Sequence, residues 1–250
     1  MSSIGPRVAL VTGAGGGLGS VIAAGLHGAG YRVAAADLDE AAASAVAARL
    51  DSHGETAMAL ALDVREKPGF ERALAALLGR WGAAHVLVNN AAFTAARPVM
   101  EITPEEFDAV MAVNVRGTFL GCQVFGTHFR DQGHGRIVNM ASLAGQNGGT
   151  ATGAHYAASK GAILTLTKVF ARDLAVAGVT VNAIAPGPLD TPQVHRTVPP
   201  ERMGALRAAI PVGDIGDPGF VASLVVRLAS PEAAFATGAT WDINGGLFMR

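Results

Sequence analysis

The chain is predicted to be of the α/β class, with a doubly wound parallel sheet between two layers of helices, three layers in all. Three observations predict it. Strand-like apolar runs alternate with helix-like stretches from end to end, the pattern of a parallel sheet covered on both faces. A glycine-rich turn joins the first apolar run to the stretch that follows it. The length, 250 residues of which 50% are apolar and 16% charged, suits one globular domain with a large core.

In order, the first strand (7–12) is carried by Val8 to Val11, and the turn Thr12-Gly13-Ala14-Gly15-Gly16-Gly17-Leu18-Gly19 follows it. Val21, Ile22, Leu26 and several alanines then mark a helix over 17–29. The next strand, 31–36, contains the run Val33 to Ala36 and ends at Asp37. A helix over 39–52 leads to a strand over 56–62, closing on Leu62-Asp63-Val64. A helix over 66–81 leads to a strand over 84–89 that runs into Asn89-Asn90-Ala91-Ala92. A long helix, 103–131, precedes a strand over 135–141 that ends at Ser142. A helix over 155–177 precedes a strand over 179–185 that runs into Pro186-Gly187. The last helix, 217–229, precedes the last strand, 238–242. Only 186–210 reads as a long irregular stretch, rich in proline. Loops of that length in compact domains often cover sites, so a lid is placed at about 189–210. Right-handed crossovers wind these units into a single domain over 1–250.

Composition excludes several classes. The net charge is −1, with lysine and arginine scattered, so no nucleic-acid footprint is expected. The single cysteine, Cys122, rules out an internal disulfide and a multi-cysteine zinc site, and no metal is expected. There is no run of eighteen apolar residues and no apolar signal region at the N-terminus. A cytoplasmic protein without a membrane partner is the expectation.

The glycine turn carries the first chemistry. Glycines at a strand-to-helix junction allow a tight turn and let backbone approach phosphate, and the helix end offers unpaired N–H groups to an anion. The spacing, Gly13, Gly17 and Gly19, is G-x-x-x-G-x-G, and no Gly-Lys-Ser/Thr follows, which argues against a triphosphate loop. Gly16 and Leu18 complete the turn. Asp37, twenty residues after Gly17, is placed to accept hydrogen bonds from an adenosine ribose and to repel a 2′-phosphate. Gly16 supplies no counter-charge. Both features favour NAD over NADP. A bland alternative remains for each residue, a plain turn and an N-cap acid.

Tyr156 and Lys160 lie four apart at the start of a helical run and share one face. A phenol is a poor base at neutral pH, with a reference pKa of about 10. A nearby cation favours the phenolate, as does an oxidised nicotinamide. Such a pair can exchange a proton with a substrate hydroxyl or carbonyl.

Taken together, Thr12 to Gly19, Asp63-Val64, Asn89-Asn90-Ala91, Asn114, Ser142, Tyr156 with Lys160, Pro186-Gly187 with Thr191, and Thr237-Gly238 to Gly245-Gly246 resemble the short-chain dehydrogenase/reductase family over essentially the whole chain. The resemblance implies a Rossmann fold and a set of roles. Tyr156 is the general acid/base. Lys160 lowers its pKa and holds the nicotinamide ribose. Ser142 polarises the substrate oxygen, and Asn114 positions a water linking Lys160 to solvent. Asp63 and Val64 flank adenine, Asn90 and Ala91 support the cleft, and Pro186, Gly187 and Thr191 adjoin the nicotinamide. Ala92 stands where the family often has glycine, and the Ser142-to-Tyr156 segment is one residue longer than its commonest form.

The substrate pocket is expected to be lined by Phe93 to Ala95, Leu143 to Asn147 (Ala144 and Gln146 foremost), His155, Pro188 and lid residues such as Leu189, Val194, His195, Val198, Met203 and Leu206. Its apolar character fits a ketone or secondary alcohol. NAD-linked oxidation of a secondary alcohol is the first expectation. A 3-oxoacyl-acyl-carrier-protein reductase is the alternative. Gly133 and Ala177, at the positions that match the family's carrier-docking basic residues, weigh against it. A non-catalytic dinucleotide-binding regulator is a remote third. A homotetramer is expected from the family and from helices 103–131 and 155–177, which are apolar on more than one face.

Overall fold

The structure, a computed structural model, describes residues 7–149 and 152–250. Its strands are β1 (Val8–Thr12), β2 (Arg32–Asp37), β3 (Ala57–Ala61), β4 (Val86–Asn89), β5 (Gly135–Met140), β6 (Val179–Pro186) and β7 (Thr240–Ile243). They form one sheet in the order β3-β2-β1-β4-β5-β6-β7, every pair parallel. Each lies within two residues of its predicted span. The order reverses between β1 and β4, so the crevice beyond their carboxyl ends is the switch point where such sheets take ligands.

The two-residue period of the strands divides the core. Ala9, Val11, Val33, Ala35, Val86, Val88 and Val138 face α1 (Gly17–Gly28) and the last long helix, Pro218–Ala229, through Ile22, Leu26, Val221 and Val225. Val8, Leu10, Ala34, Leu87, Ile137 and Val181 pack on the other face with Phe70, Leu77, Phe125, Phe129 and Leu174. Phe125 meets Phe70 and Phe129 edge-on, with centroids 6.5 and 5.8 Å apart. The remaining helices of the first half, α2 (Glu40–Leu50) and α3 (Lys67–Trp81), complete the crossovers.

Two expectations are corrected. The helix over 103–131 is α4 (Pro104–Met111), a π-wound turn over Ala112–Arg116, and α5 (Gly117–Gln132). The wide turn places Asn114 fully inside the protein. The stretch 186–210 is not irregular. After the short α6 (Ala144–Asn147) and the long α7 (Ala154–Leu174), it folds as α8 (Pro192–Thr197) and α9 (Pro200–Ala209). Pro192 and Pro200 open these helices, where a missing N–H costs nothing and the fixed φ suits a helix. The long helix Pro218–Ala229 is α10.

The apolar second faces predicted for the long helices are uncovered in one chain. Phe119 is 39% and Val169 45% exposed, and Phe119 packs on Phe170 at 5.8 Å. Trp241 and Met249 near the C-terminus are also exposed. Among the described residues no helix is long and apolar enough to cross a membrane.

Candidate active site

The glycine turn is built by close approach. Gly13 has φ +63°, and a Cβ there would lie 2.7 Å from the Ala91 Cα. A Cβ at Gly19 would fall on the Gly13 carbonyl oxygen. Asn90 clamps the turn: its Nδ2 donates to Thr12 O at 3.0 Å and Gly13 O at 3.1 Å. Thr12 Oγ1 in return accepts from the N–H groups of Asn90 and Ala91 at 3.0 and 3.1 Å. Helix α1 has Gly16 as its N-cap, no side-chain cap and no acidic residue in its first turn. A Cβ at Gly16 or Gly17 would meet nothing within 4 Å. The first-turn amides are thus uncapped beside open space, which fits a pyrophosphate.

Asp37 closes β2 beside this turn. Its Oδ2 accepts from Gly15 N at 2.9 Å and its Oδ1 from Asp39 N at 3.1 Å. Gly15 was not among the expected site residues, yet a Cβ there would lie 2.9 Å from that carboxylate. The signal for it was present in the run of glycines opposite an acid. Asp63 is gripped by Arg65 through Nε at 2.9 Å and Nη2 at 2.6 Å, and these bonds hold its carboxyl below the usual range. Val64 is buried, beneath Gly117. These residues flank the turn on the β2–β3 side.

A cavity of about 460 Å³ continues from Gly17 and Leu18 along the strand ends. Asn90, Ser142, Tyr156, Lys160, Pro186, Gly187 and Thr191 line it, with Ala144 and Pro188. Helix α7 delivers Tyr156 and Lys160 one turn apart on one face. The Lys160 Nζ donates to Met140 O at 2.6 Å and lies 5.6 Å from the Tyr156 ring centroid. Burial without a counter-ion pulls its ammonium down to about 8. Burial pushes the Tyr156 phenol up, while hydrogen bonds with Ser142 and Thr94 pull the other way. The net shift of the phenol is upward. The ammonium faces the ring and a carbonyl, and desolvation outweighs the hydrogen bonds. Ser142 Oγ accepts from Ala144 N at 3.1 Å, which leaves its own proton to donate.

Asn114 touches no wall of the cavity. Its Oδ1 accepts from Phe93 N at 2.7 Å, and its Nδ2 donates to Phe93 O at 3.1 Å and to Ser159 Oγ at 2.9 Å. Three expected substrate residues are turned away. Around position 92 the cavity is lined by Ala92, Thr94 and Ala96. Phe93 is instead held by Asn114 through its backbone, with a half-exposed side chain. Gln146 donates to Asp242 Oδ1 at 2.6 Å. His155 is fully buried, its ring between the Tyr156 N–H at 3.0 Å and Glu106 Oε1 at 3.0 Å. Thr94, within the expected span Phe93 to Ala95, lines the cavity and hydrogen-bonds Tyr156, and Ala96 and Gln193 line it without having been singled out by the sequence. Of the lid residues Leu189, Val194, Val198 and Leu206 line the cavity. His195 bonds Asp190 at 2.6 Å on the surface. Ala92 needs no glycine freedom, since among the described residues only glycines have positive φ.

A cleft at the switch point, running from the glycine turn to Ser142, Tyr156 and Lys160, is the arrangement of a dehydrogenase of the Rossmann type. The chain belongs to the short-chain dehydrogenase/reductase family and is an oxidoreductase acting between hydroxyl and carbonyl groups. A family model described as enoyl-(acyl carrier protein) reductase matches residues 13–248. A 3-oxoacyl-acyl-carrier-protein reductase of Vibrio cholerae is 37% identical over 97% of this chain and 98% of that protein. A 2-(R)-hydroxypropyl-CoM dehydrogenase of Xanthobacter autotrophicus is 40% identical over 96% and 97%. The crystal structure of a 3-ketoacyl-(acyl-carrier-protein) reductase from Brucella melitensis, complexed with NADH, superposes with a TM-score of 0.91 at 33% identity, covering 99% of this chain and 100% of that one.

Proposed function

We propose that this enzyme uses NAD(H) in preference to NADP(H) and interconverts a secondary alcohol and a ketone, with Tyr156 as general acid/base. The observation that carries the cofactor choice is Asp37, whose carboxylate is fixed at the glycine turn by Gly15 and Asp39 while Gly16 offers no positive charge. A nicotinamide dinucleotide supplies or accepts the hydride at the substrate carbon. The uncapped amides of α1 would hold the pyrophosphate, Asp37 would accept from the ribose hydroxyls, and Asp63 and Val64 would flank the adenine. Asn90 and Ala91 keep the floor in place, and Pro186, Gly187 and Thr191 border the nicotinamide.

In oxidation Tyr156 Oη takes the hydroxyl proton as hydride leaves the carbinol carbon. In reduction it returns that proton to the carbonyl oxygen. Ser142 Oγ donates to the same oxygen, where negative charge develops. Because burial alone raises the phenol, the phenolate needs the positive charge of Lys160 and of an oxidised nicotinamide. Lys160, at about 8, is mostly protonated at neutral pH and supplies its share. Asn114 acts from behind, through the Phe93 backbone and Ser159.

The substrate side is apolar, with Leu143, Leu189, Val194, Val198 and Leu206 around Thr94, Asn147 and Thr152, which suits a small to medium carbonyl compound. Residues 189–210 form the lid. The exposed Phe119 and Val169 faces and the apolar C-terminal segment are buried in a homotetramer with two-fold axes, and the protein works in the cytoplasm, where a dissociable cofactor is replenished. The second reading, a 3-oxoacyl-acyl-carrier-protein reductase, is favoured by two of the relatives. The Brucella relative carries NADH, so NAD preference alone does not argue against it. The uncharged Gly133 and Ala177 do.

Titrating the protein with NADH and NADPH by fluorescence tests the cofactor, and a spectrophotometric screen of alcohols and ketones tests the substrate class. NADH is expected to bind about tenfold or more tightly. Tighter binding of NADPH would overturn the reading of Asp37.

A further inference from the structure

The backbone of Tyr156 is held from both sides, and both lines of contact run to one short segment. Helix α7 has glycine, Gly153, as its N-cap and no side-chain cap, so its first-turn N–H groups need other acceptors. His155 Nδ1 accepts from Tyr156 N at 3.0 Å. That bond puts the ring proton on Nε2, which donates to Glu106 Oε1 at 3.0 Å. Glu106 Oε2 in turn pairs with Arg97 Nε at 2.5 Å. Glu106 is fixed by its own helix, for its N–H donates to the N-cap Thr103 Oγ1 at 3.2 Å. On the other side, Ser159 Oγ donates to Tyr156 O at 2.7 Å and accepts from Asn114 Nδ2, which also donates to Phe93 O. Between these lines Gly153 N donates to Ala95 O at 3.1 Å. A Cβ at Gly153 would strike the His155 ring.

Odd positions 93, 95 and 97 therefore tether the first turn of α7, while Ala92, Thr94 and Ala96 line the cavity. We propose that Glu106 is a positioning residue for the reaction, acting through His155 to hold the Tyr156 phenol against the segment that forms the substrate wall. The proposal rests on Tyr156 being the acid/base. His155 is fully buried and Glu106 only 15% exposed at its side chain, so no solvent competes strongly for this link. Misplacing a reacting group by an ångström is enough to cost turnover heavily.

The test uses the full chain with three substitutions. Glu106→Ala is expected to lower kcat by about tenfold or more and to leave NADH affinity, read by fluorescence titration, unchanged. Displacing the phenol from Ser142 removes a bond that favours the phenolate, so the kcat–pH profile is expected to move to higher pH. Glu106→Gln keeps an acceptor for the His155 Nε2–H and is expected to restore both readouts to within about threefold. Tyr156→Phe is the control. If it retains activity, the acid/base reading falls and the proposal falls with it. If Tyr156→Phe is inactive while Glu106→Ala keeps the wild-type kcat and pH profile, the positioning role alone is overturned. A Glu106→Ala loss with a lowered melting temperature, an unmoved pH profile and no rescue by Glu106→Gln overturns it equally. Should Glu106→Ala fail to fold, Arg97→Met leaves Glu106 holding His155 by one oxygen without its ion pair. A shift of the kcat–pH profile to higher pH relative to wild type is then expected, and no shift overturns the proposal.

Discussion

The two edges of the sheet carry similar inventories of perturbed groups, and those at the carboxyl edge line the cavity of about 460 Å³. At the carboxyl edge burial raises Tyr156 and pulls Lys160 down to about 8. At the amino edge burial raises Tyr31, lowers Arg136 and pulls His134 down to about 4, with the Arg136 and Arg7 charges adding to the last. Arg136 and His85 are committed to structure. Arg136 Nη1 donates to the carbonyls of Gly135 and Gly178 at 2.8 and 3.2 Å, and its Nε to Ser230 O at 3.2 Å. His85 Nδ1 accepts from Val8 N at 3.0 Å, and its ring meets that of His134 edge-on at 6.3 Å. Displaced titration alone is thus no mark of a site. Groups that share a cavity and keep a proton to give or take are.

The largest expected effect breaks the comparison at the carboxyl edge. Tyr156→Phe is expected to lower kcat by about 10²–10⁴-fold and to leave NADH binding intact, since only the hydroxyl is lost. Steady-state kinetics with a fluorescence titration check this, and a variant keeping a tenth of wild-type activity would remove the distinction between the edges. Next in size, Asp37→Ala is expected to narrow the NADH-over-NADPH preference by about tenfold, roughly 1.4 kcal/mol, chiefly through tighter NADPH binding. Unchanged affinities for both would separate Asp37 from cofactor choice. The smallest effect belongs to the amino edge. His134 takes a proton near 6.5 in the unfolded chain and near 4 in the folded one. Its contribution to stability is complete above about 6.5 and is lost as pH falls from there towards 4. Urea unfolding of His134→Gln at pH 7 and pH 5 is expected to show a smaller acid loss than wild type, with kcat at neutral pH unchanged. Equal losses in both proteins would contradict the assignment.

Most of the fold was legible because buried parallel strands and their crossovers leave strong apolar runs, and β1, β5 and β6 are buried along their whole length. The interruption at Ala112–Arg116 was not legible. A π turn changes backbone winding without breaking the apolar pattern that a helix is read from. Prolines misled at 186–210, because the residue that ends one helix also opens another. In the site, Gly17 and Leu18 of the glycine turn and the pair Tyr156 and Lys160 were found lining the cavity. Phe93, Gln146 and His155 were not, since nearness in sequence does not say which side of the backbone faces a ligand. His155 precedes Tyr156 directly, and neighbours on a helix point apart. The upward shift of Tyr156 was out of reach for a related reason. A lysine four residues away says that a cation is near, not where its ammonium points.

The alternation along 92–97 separates two properties that usually constrain one another. One side of this ribbon meets substrate, and the other is bolted to the helix bearing the acid/base. Libraries at Ala92 and Ala96 would therefore redraw which carbonyl compounds fit without loosening the machinery, whereas Thr94 also hydrogen-bonds the Tyr156 phenol. The same diversity at Arg97, whose side chain pairs with Glu106, would degrade turnover for every substrate alike, while Phe93 and Ala95 hold the helix through backbone atoms. A single short loop thus gives the enzyme a dial for selectivity set apart from the one for rate.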